Sequence, residues 1–244
     1  RGAQIILTPR HLGSDGAIEE AYRLARENPD KYFLTDQYNN DANWQAHYYT
    51  TGPEIIEQTK GTISSLVATV GTSGTLMGLS RCLKAYRQDI RIVCAEPYLG
   101  HKIQGLKNMK ESYTPEIMDK TLLDEKINID DETAFEMARM LSREEGLFVG
   151  MSSGAAMAAA IEEARKIKAG VVVVIFPDSG ERYLSTSLFS VENPIGLSLF
   201  NTFSKTKIPF TPLEKEKVSV YTCGPTVYKP LNVGQLRRYV FTDL

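Results

Sequence analysis

Cysteine is scarce in this chain: Cys82, Cys94 and Cys223 are its only three, far apart and odd in number. That spacing excludes a disulfide framework and predicts a reducing compartment, the cytoplasm. The three histidines, His11, His47 and His101, show no metal-ligand spacing with any cysteine or carboxylate. No apolar run approaches the length of a membrane span. A large excess of charge of either sign is missing too. A net charge of −2 without a basic run leaves no nucleic-acid footprint in residues 1–190. An initiator Met and a signal-peptide pattern are absent, and the chain stops inside the apolar run Tyr239 to Leu244. Both ends are therefore expected to be cut from a longer protein.

What remains is an ordinary globular composition, 42% hydrophobic and 24% charged over 244 residues, enough for one large domain or two modest ones. Its most informative stretch is Gly71-Thr72-Ser73-Gly74-Thr75, set between the apolar run Ile63 to Val70 and a helical stretch from about Leu76 to Arg87. A turn of this kind aims backbone N–H groups and the positive end of a helix dipole at one spot, which suits a phosphate. It is neither a Walker A loop nor the dinucleotide GxGxxG pattern, and taken alone it also reads as a turn rich in small residues.

Strands and helices alternate around it. Ile5 to Thr8 and Tyr32 to Leu34 are expected strands, with a helix between them on Ile18, Ala21, Tyr22 and Ala25. Helix-prone residues run through His47, and another helix spans Pro53 to Gln58. After the strand Ile92–Ala95 comes a polar, less periodic segment, Tyr98 to Ile127. Asp130 or Asp131 caps a helix through Glu145. Gly154 opens a helix over Ala155 to Lys168, closed by Gly170, and Val171 to Phe176 reads as a strand buried on both faces. The pattern predicts an α/β fold with a parallel sheet between helices. From about Glu192 the chain turns proline-broken and mildly basic, and Val218 to Thr222 starts a new strand.

Four further segments converge with the phosphate turn: Gly150-Met151-Ser152-Ser153-Gly154, Pro177-Asp178-Ser179-Gly180-Glu181-Arg182-Tyr183, His101-Lys102-Ile103-Gln104-Gly105, and Asp36-Gln37-Tyr38-Asn39-Asn40. With Ala46-His47-Tyr48 and Thr50-Thr51-Gly52-Pro53-Glu54-Ile55, they make residues 1 to about 190 resemble the C-terminal two-thirds of a cysteine synthase. That is a fold-type II pyridoxal-phosphate enzyme, of the superfamily that includes cystathionine β-synthase. The resemblance implies a remnant of the small domain (1–40), a large cofactor-binding domain (41–190), a linker (191–217) and a new domain (218–244).

It also implies site roles. Gly71, Thr72, Ser73, Gly74 and Thr75 would hold the phosphate of pyridoxal 5'-phosphate. Ser152 would hydrogen-bond the pyridine nitrogen, Gln37 would bind the substrate carboxylate, and Gly105 would line the closing side. Each has a plainer reading, as a helix cap, a solvated strand end and a turn glycine. Lys102 and Lys107 are expected to be surface charges, although Lys107 could meet an anionic leaving group. Cys94 is expected in the core. The implied reaction is β-replacement of an O-activated serine, such as O-acetylserine, by sulfide, in a homodimer. The family's Schiff-base lysine segment and carboxylate-clamping loop do not occur in this sequence, so the fragment by itself is expected to be inactive. Two alternatives stand beside this reading: a cystathionine β-synthase-like lyase, and a non-catalytic ligand-binding partner of a synthetase.

Leu199 to Thr202 and Val218 to Tyr228 resemble the opening of a cysteinyl-tRNA synthetase. The resemblance implies a class I, Rossmann-like catalytic domain acting on ATP and tRNA, in which Cys223 would be one zinc ligand of a site completed elsewhere. Asn232-Val233-Gly234-Gln235 departs from the family's His-Ile-Gly-His signature, which puts adenylation in doubt. A fusion of cysteine-making and cysteine-charging modules would let one site feed the next.

Overall fold

The computed structural model describes residues 2–110, 113–189 and 198–209, and the chain divides into two compact units, residues 1–190 and 191–244. In the first unit α1 (Gly13–Glu27), α2 (Ala42–Tyr49) and α3 (Thr51–Gln58) precede β1 (Ile63–Thr69). Then follow α4 (Gly74–Tyr86), β2 (Arg91–Pro97), β3 (Glu125–Ile129), α5 (Asp131–Met140), α6 (Met151–Lys166) and β4 (Val171–Val174). The four strands form one sheet in the order β3-β2-β1-β4, every neighbouring pair parallel. Helices lie on both faces, as parallel strands require, because each crossover must return over the sheet.

Two apolar layers hold this sandwich together. On one face Ala134, Ala138, Ala155 and Ala159 of α5 and α6 pack against Val93, Ala95 and Ile127. Alanine stripes let those helices approach each other and the sheet closely. The other face is built from leucines: Leu76, Leu79 and Leu83 of α4 meet Leu66, Ile92 and Cys94. Leu76, Leu79 and Leu83 are completely buried. Truncating any one of them to alanine costs about 2–5 kcal/mol in such a core.

Some expected elements differ. Neither Ile5–Thr8 nor Tyr32–Leu34 forms a strand. Leu7 and Phe33 are 89% and 87% exposed, and no described strand lies beside them to accept their backbone N–H groups. The strand expected to be buried on both faces covers only Val171–Val174, and Val171 is exposed while Val172 to Val174 are half-buried. It is an edge strand of the described sheet, paired with β1 alone. The segment expected to be irregular to Ile127 ends in β3, whose alternation buries Ile127 and Ile129 and leaves Lys126 exposed and Asn128 half-exposed. The helix capped by Asp130 runs to Met140 and continues as a wide π turn through Glu145.

Within the second unit, β5 (Ser198–Asn201) and β6 (Thr206–Pro209) form an antiparallel hairpin inside the segment expected as linker. The strand Val218–Thr222, Cys223 and the Asn232–Gln235 motif lie outside the described residues.

Candidate cofactor site

Strand β1 ends at Thr69, and Gly71-Thr72-Ser73 carries the chain directly into α4. Ser73, the N-cap of α4, has φ +68°, a left-handed conformation that disfavours any residue bearing a Cβ. Its side chain does not cap the helix. Instead Ser73 Oγ is buried without a hydrogen-bond partner. The first-turn N–H groups of α4 have no intrahelical acceptors, and no acidic residue sits among them. A Cβ on Gly71 would lie 2.7 Å from Gly105 O, and one on Gly74 would collide with Asn43 Oδ1. Glycine at both positions therefore keeps the turn bare and tightly held.

Helix α2 buttresses this turn from behind. Asn43 Nδ2 donates to Thr72 Oγ1 (3.1 Å) and to the backbone carbonyl of Gln37 (2.6 Å). One turn along the helix, His47 spans two threonines, with Nε2 3.2 Å from Thr75 Oγ1 and Nδ1 3.1 Å from Thr51 Oγ1. Burial holds the His47 pKa below its ordinary value, favouring the neutral ring.

Opposite stands the N-terminus of α6. That helix opens at Met151, three residues before the glycine expected to open it, because its cap comes from outside the element. Asp178, in the loop after β4, accepts the backbone N–H groups of Ser152 (3.1 Å, Oδ2) and Ser153 (2.9 Å, Oδ1). The Ser153 hydroxyl makes a short bond to the same carboxylate, and Tyr183 Oη donates to Asp178 Oδ2 at 2.8 Å. Burial, followed by that bond to Asp178, pushes the Tyr183 phenol well above its ordinary pKa.

The Gly71–Thr75 turn, Gly105, Ser152 and the Asp178–Tyr183 loop enclose one cavity of about 360 Å³. The structure thus brings together every expected cofactor residue and Gly105. The Gln37 side chain is exposed and does not line this cavity; its carbonyl is tied to the turn through Asn43. Lys102 is exposed, whereas Lys107 corrects the surface expectation. It is buried, pairs with Asp15 at 2.9 Å and lies over the Tyr38 ring at 4.8 Å. Its ammonium lies over the face of that ring, and Asp15 balances its charge. Cys94 is fully buried in the core, and burial pushes its thiol up to about 12.

Asn43, His47, Asp178 and Tyr183 carry structural roles that the sequence did not assign. Asp178 and Tyr183 lay in a segment already singled out, yet their target, α6, is distant in sequence. Among the described residues no group of three or more His, Cys, Asp or Glu could hold a metal. No described helix is long and apolar enough to cross a membrane.

The donor set fits a phosphate ester. Bare first-turn amides, the unpartnered Ser73 hydroxyl and the Thr72 and Thr75 hydroxyls meet at one end, and an uncharged Ser152 side chain lies in the same cavity. Comparison with known proteins agrees. The chain is 47% identical over 194 residues to a cysteine synthase of Aquifex aeolicus, covering 78% of this chain and 59% of that protein. It is 40% identical over 192 residues to cysteine synthase B of Escherichia coli, covering 79% and 63%. The crystal structure of a cysteine synthase from Entamoeba histolytica superposes with a TM-score of 0.72 at 39% identity, covering 79% of this chain and 60% of that one. An O-acetylserine dependent cystathionine beta-synthase from Helicobacter pylori superposes with a TM-score of 0.70 at 37% identity, covering 78% and 64%. The chain therefore spans less than two-thirds of the length of these relatives. The family described as pyridoxal-phosphate dependent enzyme matches residues 1–178, and this chain belongs to that family.

Proposed function

We propose that this chain is the cofactor-holding part of a cysteine synthase that replaces the leaving group of an O-activated serine with sulfide. The buried Ser73 hydroxyl, unpartnered at the open N-terminus of α4, is the observation that carries the reading. In it, the Gly71–Thr75 amides and hydroxyls hold the cofactor phosphate, and the Ser152 hydroxyl meets the pyridine nitrogen. Pyridoxal phosphate, when bound, supplies an electron sink that labilises the β-substituent of an amino acid. A hydroxyl beside the ring nitrogen, in place of a carboxylate, leaves that nitrogen largely unprotonated and tempers the sink. Gln37, outside the cavity lining but tied through its carbonyl to Asn43 behind the turn, receives the substrate carboxylate in this reading, and Gly105 lines the side that closes.

The Schiff-base lysine comes from a segment outside this sequence in our reading. Lys107, the buried lysine beside the site, is committed to Asp15. Residues 218–244 we read as the start of a cysteinyl-tRNA synthetase-like module, with Cys223 toward zinc and ATP and tRNA as its ligands. The assembly is read as a cytoplasmic homodimer. The likeness to the Helicobacter pylori enzyme favours one further reading, with homocysteine as the nucleophile.

Two measurements test this. Titration of the chain followed by fluorescence should give pyridoxal 5'-phosphate roughly tenfold or more tighter binding than pyridoxal, the worth of charge-assisted bonds to the phosphate. Equal affinity would remove the reading. The full-length protein, given O-acetylserine with sulfide or homocysteine in competition, should consume sulfide faster. A preference for homocysteine would move the assignment to the lyase, and inactivity with both would leave a ligand-binding partner.

A further inference from the structure

Two helix N-termini open on the same cavity, and they are furnished in opposite ways. Each carries about half a positive charge and a set of unbonded amides, so each could take an anion. At α4 nothing fills the position: Ser73 makes no cap, no acid lies in the first turn, and a buried hydroxyl waits unpartnered. At α6 the position is filled. Asp178 takes the amides of Ser152 and Ser153, the Ser153 hydroxyl and the Tyr183 phenol, so its two oxygens are saturated. Gly150 permits this approach, since a Cβ there would collide with Asp178 and Tyr183.

We infer that Asp178 is a specificity-determining residue that fixes which way round a monophosphorylated ligand lies, by closing the α6 end to anions and leaving the α4 end open. The inference rests on the proposed function for the identity of the ligand, although its logic applies to any single phosphate ester. Arg182 also lines the cavity, but its side chain is exposed and its charge is screened by solvent, whereas Asp178 bonds the amides directly. A phosphate approaching Ser152 meets a carboxylate already seated on its donors. A neutral ring atom meets only the Ser152 hydroxyl. The end that would otherwise compete for phosphate is thereby reserved for an uncharged group.

The test is an amide-resolved NMR titration of the whole chain with inorganic phosphate. In the wild type, resonances of Gly71 to Thr75 should shift while those of Ser152 and Ser153 stay still. In Asp178→Ser both sets should shift, and a second equivalent of phosphate should bind. Asp178→Asn retains one accepting oxygen and so guards against a folding defect. There the Ser152 amide should begin to respond while Ser153 remains capped. Silence of Ser152 and Ser153 in both variants overturns the inference, as does their response in the wild type, or indifference of Gly71 to Thr75 to phosphate. A wild type that seats phosphate at Gly71–Thr75 yet takes pyridoxal 5'-phosphate no better than pyridoxal sinks the cofactor reading and leaves the polarity standing.

Discussion

His47 joins two helices to the phosphate turn through a single ring, its Nε2 at 3.2 Å from Thr75 Oγ1 and its Nδ1 at 3.1 Å from Thr51 Oγ1. In the tautomer protonated at Nε2, the ring accepts from Thr51 at Nδ1 and donates to Thr75, which leaves the Thr75 hydroxyl free to donate into the cavity. His47→Phe and Thr75→Ala should each weaken pyridoxal 5'-phosphate by about tenfold, the worth of one charge-assisted bond. Because they break one relay, the double variant should lose little more than either alone. Additive losses in an equilibrium titration would count against the relay.

The same ring makes stability depend on pH. Burial lowers the folded-state pKa of His47, so the unfolded chain binds its proton more readily. The contribution is complete above the unfolded value, about 6.5, and fades as pH falls from there toward the lowered folded value. Urea midpoints measured between about pH 7 and about pH 5 should fall more steeply in the wild type than in His47→Gln.

Ser73 holds a left-handed backbone with a Cβ attached. Ser73→Gly should remove a conformational cost of roughly 1–2 kcal/mol and raise the melting temperature. It should also weaken phosphate binding, because the unpartnered hydroxyl goes with the strain. A variant no more stable and no weaker in binding would show that this turn is not built around a ligand.

At the far end of the sheet, Glu163 of α6 is fully buried and accepts from Ser65 Oγ (2.9 Å) and Arg91 Nε (2.8 Å). Burial raises its pKa, but the bonds from Arg91 and Ser65 outweigh that and hold it below the usual glutamate value. Its contribution is therefore present above about 4.5 and lost as pH falls through the lowered folded value. Arg91→Ala removes the charge partner of this carboxylate and should cost about 1–3 kcal/mol in chemical denaturation at neutral pH, less than for a fully buried pair because the Arg91 side chain is half-exposed and Ser65 stays bonded. Glu163→Gln in the same background should recover part of that loss.

Cys94 is buried, with its thiol pushed up to about 12, and Cys82 is buried with its pKa also raised. Iodoacetamide at pH near 8, about half a unit below a free thiol, should leave both unmodified in the native protein and label both after denaturation. Peptide mapping by mass spectrometry reads this directly, and rapid native labelling of Cys94 would contradict the packing of β2 against α4.

Local sequence was sufficient wherever the causes were local. The run Ile63–Val70, the small turn behind it and the leucines of α4 announced a strand, an anion-ready turn and a helix, because period and turn chemistry belong to neighbouring residues. A cap at Asp130 or Asp131 was legible for the same reason, and Asp130 fills it, accepting from the Thr133 N–H three positions on. The apolar runs Ile5–Thr8 and Tyr32–Leu34 misled, since a strand needs a partner whose presence composition cannot report.

By itself, the sequence determined the alternation of strands and helices, the parallel sheet and the glycine- and hydroxyl-rich turn at the head of α4. Only the tertiary structure decided that α6 begins at Met151, that Asp178 closes its N-terminus, that Lys107 is buried against Asp15 and Tyr38, and that His47 reaches Thr75. Those bonds join residues 25 to 92 positions apart. Hydrogen bonds act over about 3 Å of space whatever the separation along the chain, so their partners exist only once the sheet has brought the ends of its strands together.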